Sequence, residues 1–272
     1  MMVPAFDPLL ILALLAMGAF GGFVAGLLGV GGGMILVPFI TMIFTARGFP
    51  EALVVHMAIA TSLGTIFFTS LSSVRAHHKH GAVLWPVVRL FTPGILLGAW
   101  VGPWIGKQMN TPVLAFFFGC FVAFSAIQML IGKKPAAARE LPGKPGMFAA
   151  GSVIGILAGL VGAGGAFVSV PFMTRCNVRI HNAVATSAAI GFPVALMGTL
   201  SNVYFGWGEP GLPPWSLGFI YLPALAIIVL ASVSMAPLGA RTAHKMPVRQ
   251  LQRIFSVILC ALAAYMFWKA FN

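Results

Sequence analysis

The residues best placed to do chemistry in this chain sit in two short stretches that repeat each other. Gly26 to Phe39 reads GLLGVGGGMILVPF and Gly159 to Phe172 reads GLVGAGGAFVSVPF, with eight of fourteen positions identical. A second echo follows each: His56 to Ser62 reads HMAIATS and His181 to Ser187 reads HNAVATS, five of seven matching. Glycine runs break helices, and a helix that starts after such a break presents backbone N–H groups without intrahelical partners at its positive end. That is anion-binding chemistry. Gly29, Gly31, Gly32 and Gly33 are therefore candidate substrate contacts, and so are Gly162, Gly164 and Gly165. The echoed hydroxyls Thr61, Ser62, Thr186 and Ser187 add donors that reach an anionic oxygen without burying a positive charge. Either set has a structural alternative. Glycines let membrane helices approach closely, and Ser or Thr often bonds the i−4 carbonyl. His56 and His181 are candidates for proton coupling or substrate contact, because imidazole titrates near neutral pH. Pro38 and Pro171, at the same offset after each glycine run, read as bend or packing residues.

The elements that must hold these residues follow from composition. The chain has 272 residues, 60% hydrophobic and 7% charged, against about 25% charged in soluble proteins. Its apolar runs are continuous rather than alternating, which predicts membrane helices and not a β-barrel. The expected segments are 8–28, 34–46, 53–74, 84–106 and 112–132, then 147–163, 166–175, 181–205, 216–240 and 250–271. The first lacks a basic leader region and is read as a retained helix. The polar stretch 133–146 separates the halves as a linker, leaving 8–132 and 147–272 as two repeats. Segments 34–46 and 166–175 are too short to cross a hydrocarbon core of about 30 Å. They predict glycine-broken re-entrant hairpins, tolerated at membrane depth where they line a cavity or are packed in protein.

Five segments per half is odd, so the second repeat starts on the opposite side and the repeats are inverted. Basic residues support this. With the Arg75–His80 loop in the cytoplasm, the linker and the basic stretches at 175–179 and 241–253 fall on the same side, and only Arg47, Lys107 and Lys269 lie outside. Both termini are then expected outside. The net charge of +12 becomes cytoplasmic-loop charge that suits anionic lipid headgroups, and no nucleic acid need be invoked. Arg89 reads as a snorkelling cation.

What is missing also bears on function. The four acids, Asp7, Glu51, Glu140 and Glu209, all avoid the centres of the spans, which argues against a cation pathway. Cys120, Cys176 and Cys260 form no CxxC pair, and the His77–His80 run has no carboxylate or cysteine beside it. No metal, cofactor or nucleophile is implied, so the chain is not read as an enzyme. A secondary transporter of a small anion fits best, with an anion channel or a permease for another organic anion as the alternative. Oligomeric state is not encoded in these patterns.

The pattern GxxGxGGGxxxVP at Gly26 to Pro38, its echo at Gly159 to Pro171, and the ATS elements at Ala60–Ser62 and Ala185–Ser187 resemble the sulfite exporter TauE/SafE family of membrane permeases. The resemblance covers both halves. It departs at Ala166, which replaces the third glycine of the run. It implies a plasma-membrane carrier, an exporter by preference, of small sulfur-containing anions such as sulfite or organosulfonates like sulfoacetate, working by alternating access around a midplane site.

Overall fold

A computed structural model describes residues 8–28, 32–79, 81–131, 140–243 and 248–271. Gly29, Gly31, His80 and residues 133–139 of the expected linker lie outside them. The described residues form ten helices. The first five are α1 (Pro8–Leu28), α2 (Gly33–Ala46), α3 (Val54–Lys79), α4 (Trp85–Gln108) and α5 (Thr111–Ile131). The second five are α6 (Lys144–Val161), α7 (Ala166–Arg175), α8 (Ile180–Phe205), α9 (Leu222–Ala243) and α10 (Val248–Phe271). Seven of them are long and apolar enough to cross a bilayer. α2 and α7, with 14 and 10 residues, are the short pair expected from the sequence.

The helices do not pack half by half. α4 lies on α6, α1 on α9, α5 on α10, and α3 on α8, so each major contact joins the first half to the second. The α4–α6 seam shows why. Gly94, Gly98 and Gly102 of α4 face Gly151, Gly155 and Gly159 of α6, and a Cβ on Gly102 would lie 2.7 Å from the Ile156 carbonyl oxygen. A Cβ on Gly151 would lie 2.6 Å from the Phe91 carbonyl oxygen. Small residues at four-residue spacing bring two backbones together where lipid supplies no hydrophobic drive for association. Gly18 and Gly22 of α1 meet Ile228, Ala231 and Ser232 of α9 in the same manner.

α3 and α8 form the centre, and the outer helices turn large apolar side chains outward. Leu12, Phe124, Leu230 and Val257 are each more than 60% exposed. A belt of this kind would aggregate in water and is solvated by hydrocarbon in a multi-pass membrane protein.

Several boundaries differ from the sequence expectation: α3 runs on to Lys79, five residues past the expected end at 74, and two other differences have a visible local cause. α6 begins at Lys144, shortening the linker, because Gly143 in extended conformation leads directly to Pro145 in the first turn. The span expected from residue 216 begins at Leu222. Before it a minimal hairpin pairs β1 (Ser216–Leu217) with β2 (Ile220–Tyr221). Gly218 turns it with φ 56°, and a Cβ there would lie 2.6 Å from the Asn202 carbonyl oxygen. The hairpin thereby seats Phe219, Ile220 and Tyr221 in the core.

Candidate functional site

The two glycine runs meet. α2 starts at Gly33 after Gly32, whose φ of 66° is left-handed. α7 starts at Ala166 after Gly165, with φ 75°. Neither N-cap has a side chain to offer, so neither helix start is capped from within. The backbone oxygens of Gly32 and Gly165 instead receive the first intrahelical bonds, from Ile35 and Leu36 and from Val168 and Ser169. Gly33 packs directly on the second run. A Cβ there would collide with the Gly162 carbonyl oxygen and lie 2.9 Å from Ala163 Cα. Residues 161–166, Gly164 among them, are all buried.

Ser62 fastens this crossing. Its hydroxyl donates to the Gly162 carbonyl oxygen at 2.9 Å, joining α3 of the first half to the glycine turn of the second. Ser187, the echo of Ser62, does something else: its Oγ lies 2.6 Å from Ser169 Oγ in the first turn of α7. Position 169 corresponds to Leu36 in the first copy, so the second copy carries a hydroxyl where the first is apolar. Sequence reasoning missed Ser169. Its signal was a polar residue in an apolar repeat, at a position where the copies disagree.

Thr61 and Thr186 are both fully buried and both accept a backbone N–H. Thr61 Oγ1 accepts from Tyr221, the residue before α9, at 3.3 Å. Thr186 Oγ1 accepts from Leu84, the residue before α4, at 3.0 Å. Each threonine thus holds the start of a helix from the other half. Among the described residues neither hydroxyl has an acceptor for its own proton, and a helical threonine ordinarily gives that proton to the i−4 carbonyl, as Thr65 does to Thr61. Of the Ser169–Ser187 pair, one hydroxyl proton is likewise left over. Buried donors in native proteins are nearly always satisfied, and these three protons, two at the starts of α9 and α4 and one in the first turn of α7, have no acceptor assigned among the described residues.

The echoed histidines part company. His56 is buried and its Nε2 lies 3.0 Å from the Gly106 oxygen and 3.1 Å from the Met109 oxygen, tying α3 to the α4–α5 turn. His181 is exposed at the start of α8. Its neighbour Asn182 makes the equivalent tie, donating to the Ala82 oxygen at 3.0 Å.

Comparison with known proteins gives the family. The family profile of the sulfite exporter TauE/SafE matches residues 14–266. A "Probable membrane transporter protein" of Haemophilus influenzae is 35% identical over 261 residues, covering 95% of this chain and 98% of the relative. A namesake in Methanocaldococcus jannaschii is 26% identical over 264 residues, covering 96% and 97%. One in Bacillus subtilis is 26% identical over 276 residues, covering 94% and 97%. No solved structure matches. The chain belongs to the sulfite exporter TauE/SafE family, a family of membrane transporters and not of enzymes.

Proposed function

We propose that this TauE/SafE-family chain is a secondary transporter that carries small sulfur-containing anions, sulfite or organosulfonates such as sulfoacetate, out of the cell. The observation that carries the reading is the buried crossing of Gly33 on Gly162, with its uncapped helix starts. An anion there would receive N–H groups from the first turns of α2 and α7. Thr61, Thr186 and the Ser169–Ser187 pair would add O–H donors. The described part of the site contains no lysine or arginine, so the charge would be met by dipoles that let it leave again. Gly29 and Gly31 are included as substrate contacts by their place in the repeated motif alone.

Transport in this reading is alternating access between two inverted repeats, 8–132 and 147–272, joined by a cytoplasmic linker. Two features support it. The pairing of α1 with α9 is the counterpart of α6 with α4 when the halves are exchanged, while α3–α8 and α5–α10 map onto themselves. The threonine ties obey the same exchange. The short α2 and α7 would be the inner limbs of re-entrant hairpins. The distribution of basic residues supports a reading with both termini outside and the linker inside, next to anionic headgroups in the plasma membrane.

Flux of sulfite and sulfoacetate into proteoliposomes tests this. The native protein should show saturable flux with counter-transport. The double variant Thr61→Val, Thr186→Val should lose at least about tenfold of kcat/KM, the worth of one hydrogen bond to a charged group. Unchanged saturable flux in that variant would remove the hydroxyls from the site, and non-saturating flux in the native protein would favour a channel.

A further inference from the structure

The connection between α8 and α9, residues 206–221, reads GWGEPGLPPWSLGFIY. Its counterpart between α3 and α4 takes only residues 80–84. Both connections end in the same tie, a backbone N–H on an echoed threonine, so the extra residues are not needed to span the gap. Their composition is unlike that of a water-facing loop, which is rich in Asn, Asp, Ser and charge. The one charged residue is Glu209, which pairs with Lys107 at 3.0 Å, and Ser216 has its Oγ buried. The rest is glycine, proline, and apolar or aromatic side chains.

These side chains divide into two sets. Phe219, Ile220 and Tyr221 face the core, while Trp207 and Trp215 turn outward, 71% and 66% exposed. Among the described residues neither of these two rings stacks on another, and neither indole N–H has an acceptor. Trp100, by contrast, packs on Tyr204 and Phe205, and Trp85 donates to His78 Nδ1 at 3.2 Å. Trp215 is also strained. Its φ of 68° is left-handed, a region that a bulky residue rarely enters, and its carbonyl is held there by the Leu222 N–H at 3.2 Å. The same connection uses glycine for positive φ at 208, 211 and 218. A tryptophan kept where glycine would serve, and without a partner in the protein, points to a partner outside it.

That partner follows from continuity with the hydrocarbon-facing belt. Leu200, Tyr204 and Trp207 are all exposed and follow at four- and three-residue spacing, so one face of α8 runs on past its end at Phe205. Trp104 of α4 and Trp268 of α10 are exposed at the same end, where Lys107, Glu209 and Lys269 line one pocket. The backbone sets the depth. Among the described residues the N–H groups of Gly208, Gly211, Leu212 and Trp215 have no acceptor. Such groups are excluded from the hydrocarbon core but are hydrated at headgroup level, where the apolar ring and single donor of tryptophan also fit. We infer that the α8–α9 connection is a membrane-interface anchor, with Trp207 and Trp215 set between the headgroups and acyl chains of the phospholipid leaflet at that end, their N–H groups donating to lipid oxygens. The inference needs a chain that spans the membrane and is independent of what the chain carries.

Tryptophan fluorescence of the full-length protein in phosphatidylcholine vesicles tests this, with bromine placed on the acyl chains either near the headgroup or near the chain end. The emission of the two rings is the difference between the native protein and the double variant Trp207→Phe, Trp215→Phe. That difference should lose intensity to brominated lipid, more to the shallow bromine than to the deep one, and lose little to iodide in the water. Quenching by iodide and not by brominated lipid would place the connection in water and overturn the inference. Stronger quenching by the deep bromine would place it in the hydrocarbon core and overturn it too. A second measurement needs no variant to fold. Native protein in vesicles carrying a phosphatidylcholine with a photoactivated diazirine near its glycerol should be labelled within 206–221. Labelling of that segment by a water-soluble diazirine alone would refute the anchor. Neither measurement depends on flux, so an anchored protein that carries no sulfur-containing anion overturns the transport proposal and leaves this inference standing.

Discussion

Replacing Gly33 by alanine adds one methyl group at the point where the two glycine runs touch. Two terms oppose each other. Gly33 is the first residue of α2, and alanine is favoured over glycine inside a helix by about 1 kcal/mol, less at its first position. Against this, the new Cβ would meet three neighbours: the Gly162 carbonyl oxygen, Ala163 Cα at 2.9 Å and Ile66 Cδ1 at 2.8 Å. Ile66 can swing aside, but the other two are backbone, and the Gly162 oxygen is also held by Ser62 at 2.9 Å. Overpacking of this kind costs about 1–3 kcal/mol. The expected net is destabilisation of about 1–2 kcal/mol, with loss of flux beyond what the stability change explains. The comparison is Gly106→Ala in α4, where a Cβ would find only Leu160 Cδ2 at 3.6 Å. That variant should be neutral or slightly stabilised, by at most about 1 kcal/mol from helix propensity. The assay is the fraction of monodisperse protein after graded heating in detergent, beside proteoliposome flux. A Gly33→Ala protein as heat-stable and as active as Gly106→Ala would refute the direct contact between the two runs.

Other substitutions separate the remaining contacts. Ser169→Ala should destabilise by about 1–2 kcal/mol, because Ser187 then loses a buried partner at 2.6 Å. Adding Ser187→Ala should cost less than the sum of the two singles, and a double-mutant cycle by thermal unfolding reads the difference. Lys107→Met should shift thermal stability little, by at most about 1 kcal/mol, because the partly exposed Lys107–Glu209 pair is screened by solvent. A loss several times larger would mean that the pair and the bond to Phe205 act together to hold the α4 and α8 ends.

Much of this architecture was legible in the chain, and the reason is local. Apolar run length fixed where helices lie, and the glycine runs marked where α2 and α7 begin: the expected 34–46 and 166–175 became Gly33–Ala46 and Ala166–Arg175. What could not be read depends on partners distant in sequence. The 216–221 hairpin looked like part of a span because its Phe, Ile and Tyr are as apolar as a helix. Only the fit of Gly218 against Asn202 and Val203 makes it a turn. His56 and His181 stand in the same motif, yet one is buried against the α4–α5 turn and the other faces outward, because the residues they meet do not repeat. For the hydroxyls, the motif gave the residue types but not their bonds. Thr61 and Thr186 cap helices of the opposite half, a role with no short-range signature.

The unequal copies bear on how such a site would release its cargo. Where the first copy has Gly33 and Leu36, the second has Ala166 and Ser169. The start of α2 therefore offers bare backbone pressed against the opposite glycine turn, while the start of α7 offers a hydroxyl pair. Two identical half-sites would hold an anion equally from both sides. In the proposed mechanism the unequal pair instead lets the α7 side keep hold, through Ser169 and Ser187, while the α2 side parts from Gly162. The bond that must yield is then Ser62 to the Gly162 oxygen, one hydrogen bond worth about 1 kcal/mol net. A contact of that strength fastens the resting crossing without locking it. The cross-half threonine ties involve the starts of α4 and α9 rather than the glycine turns, so they can persist while the crossing opens.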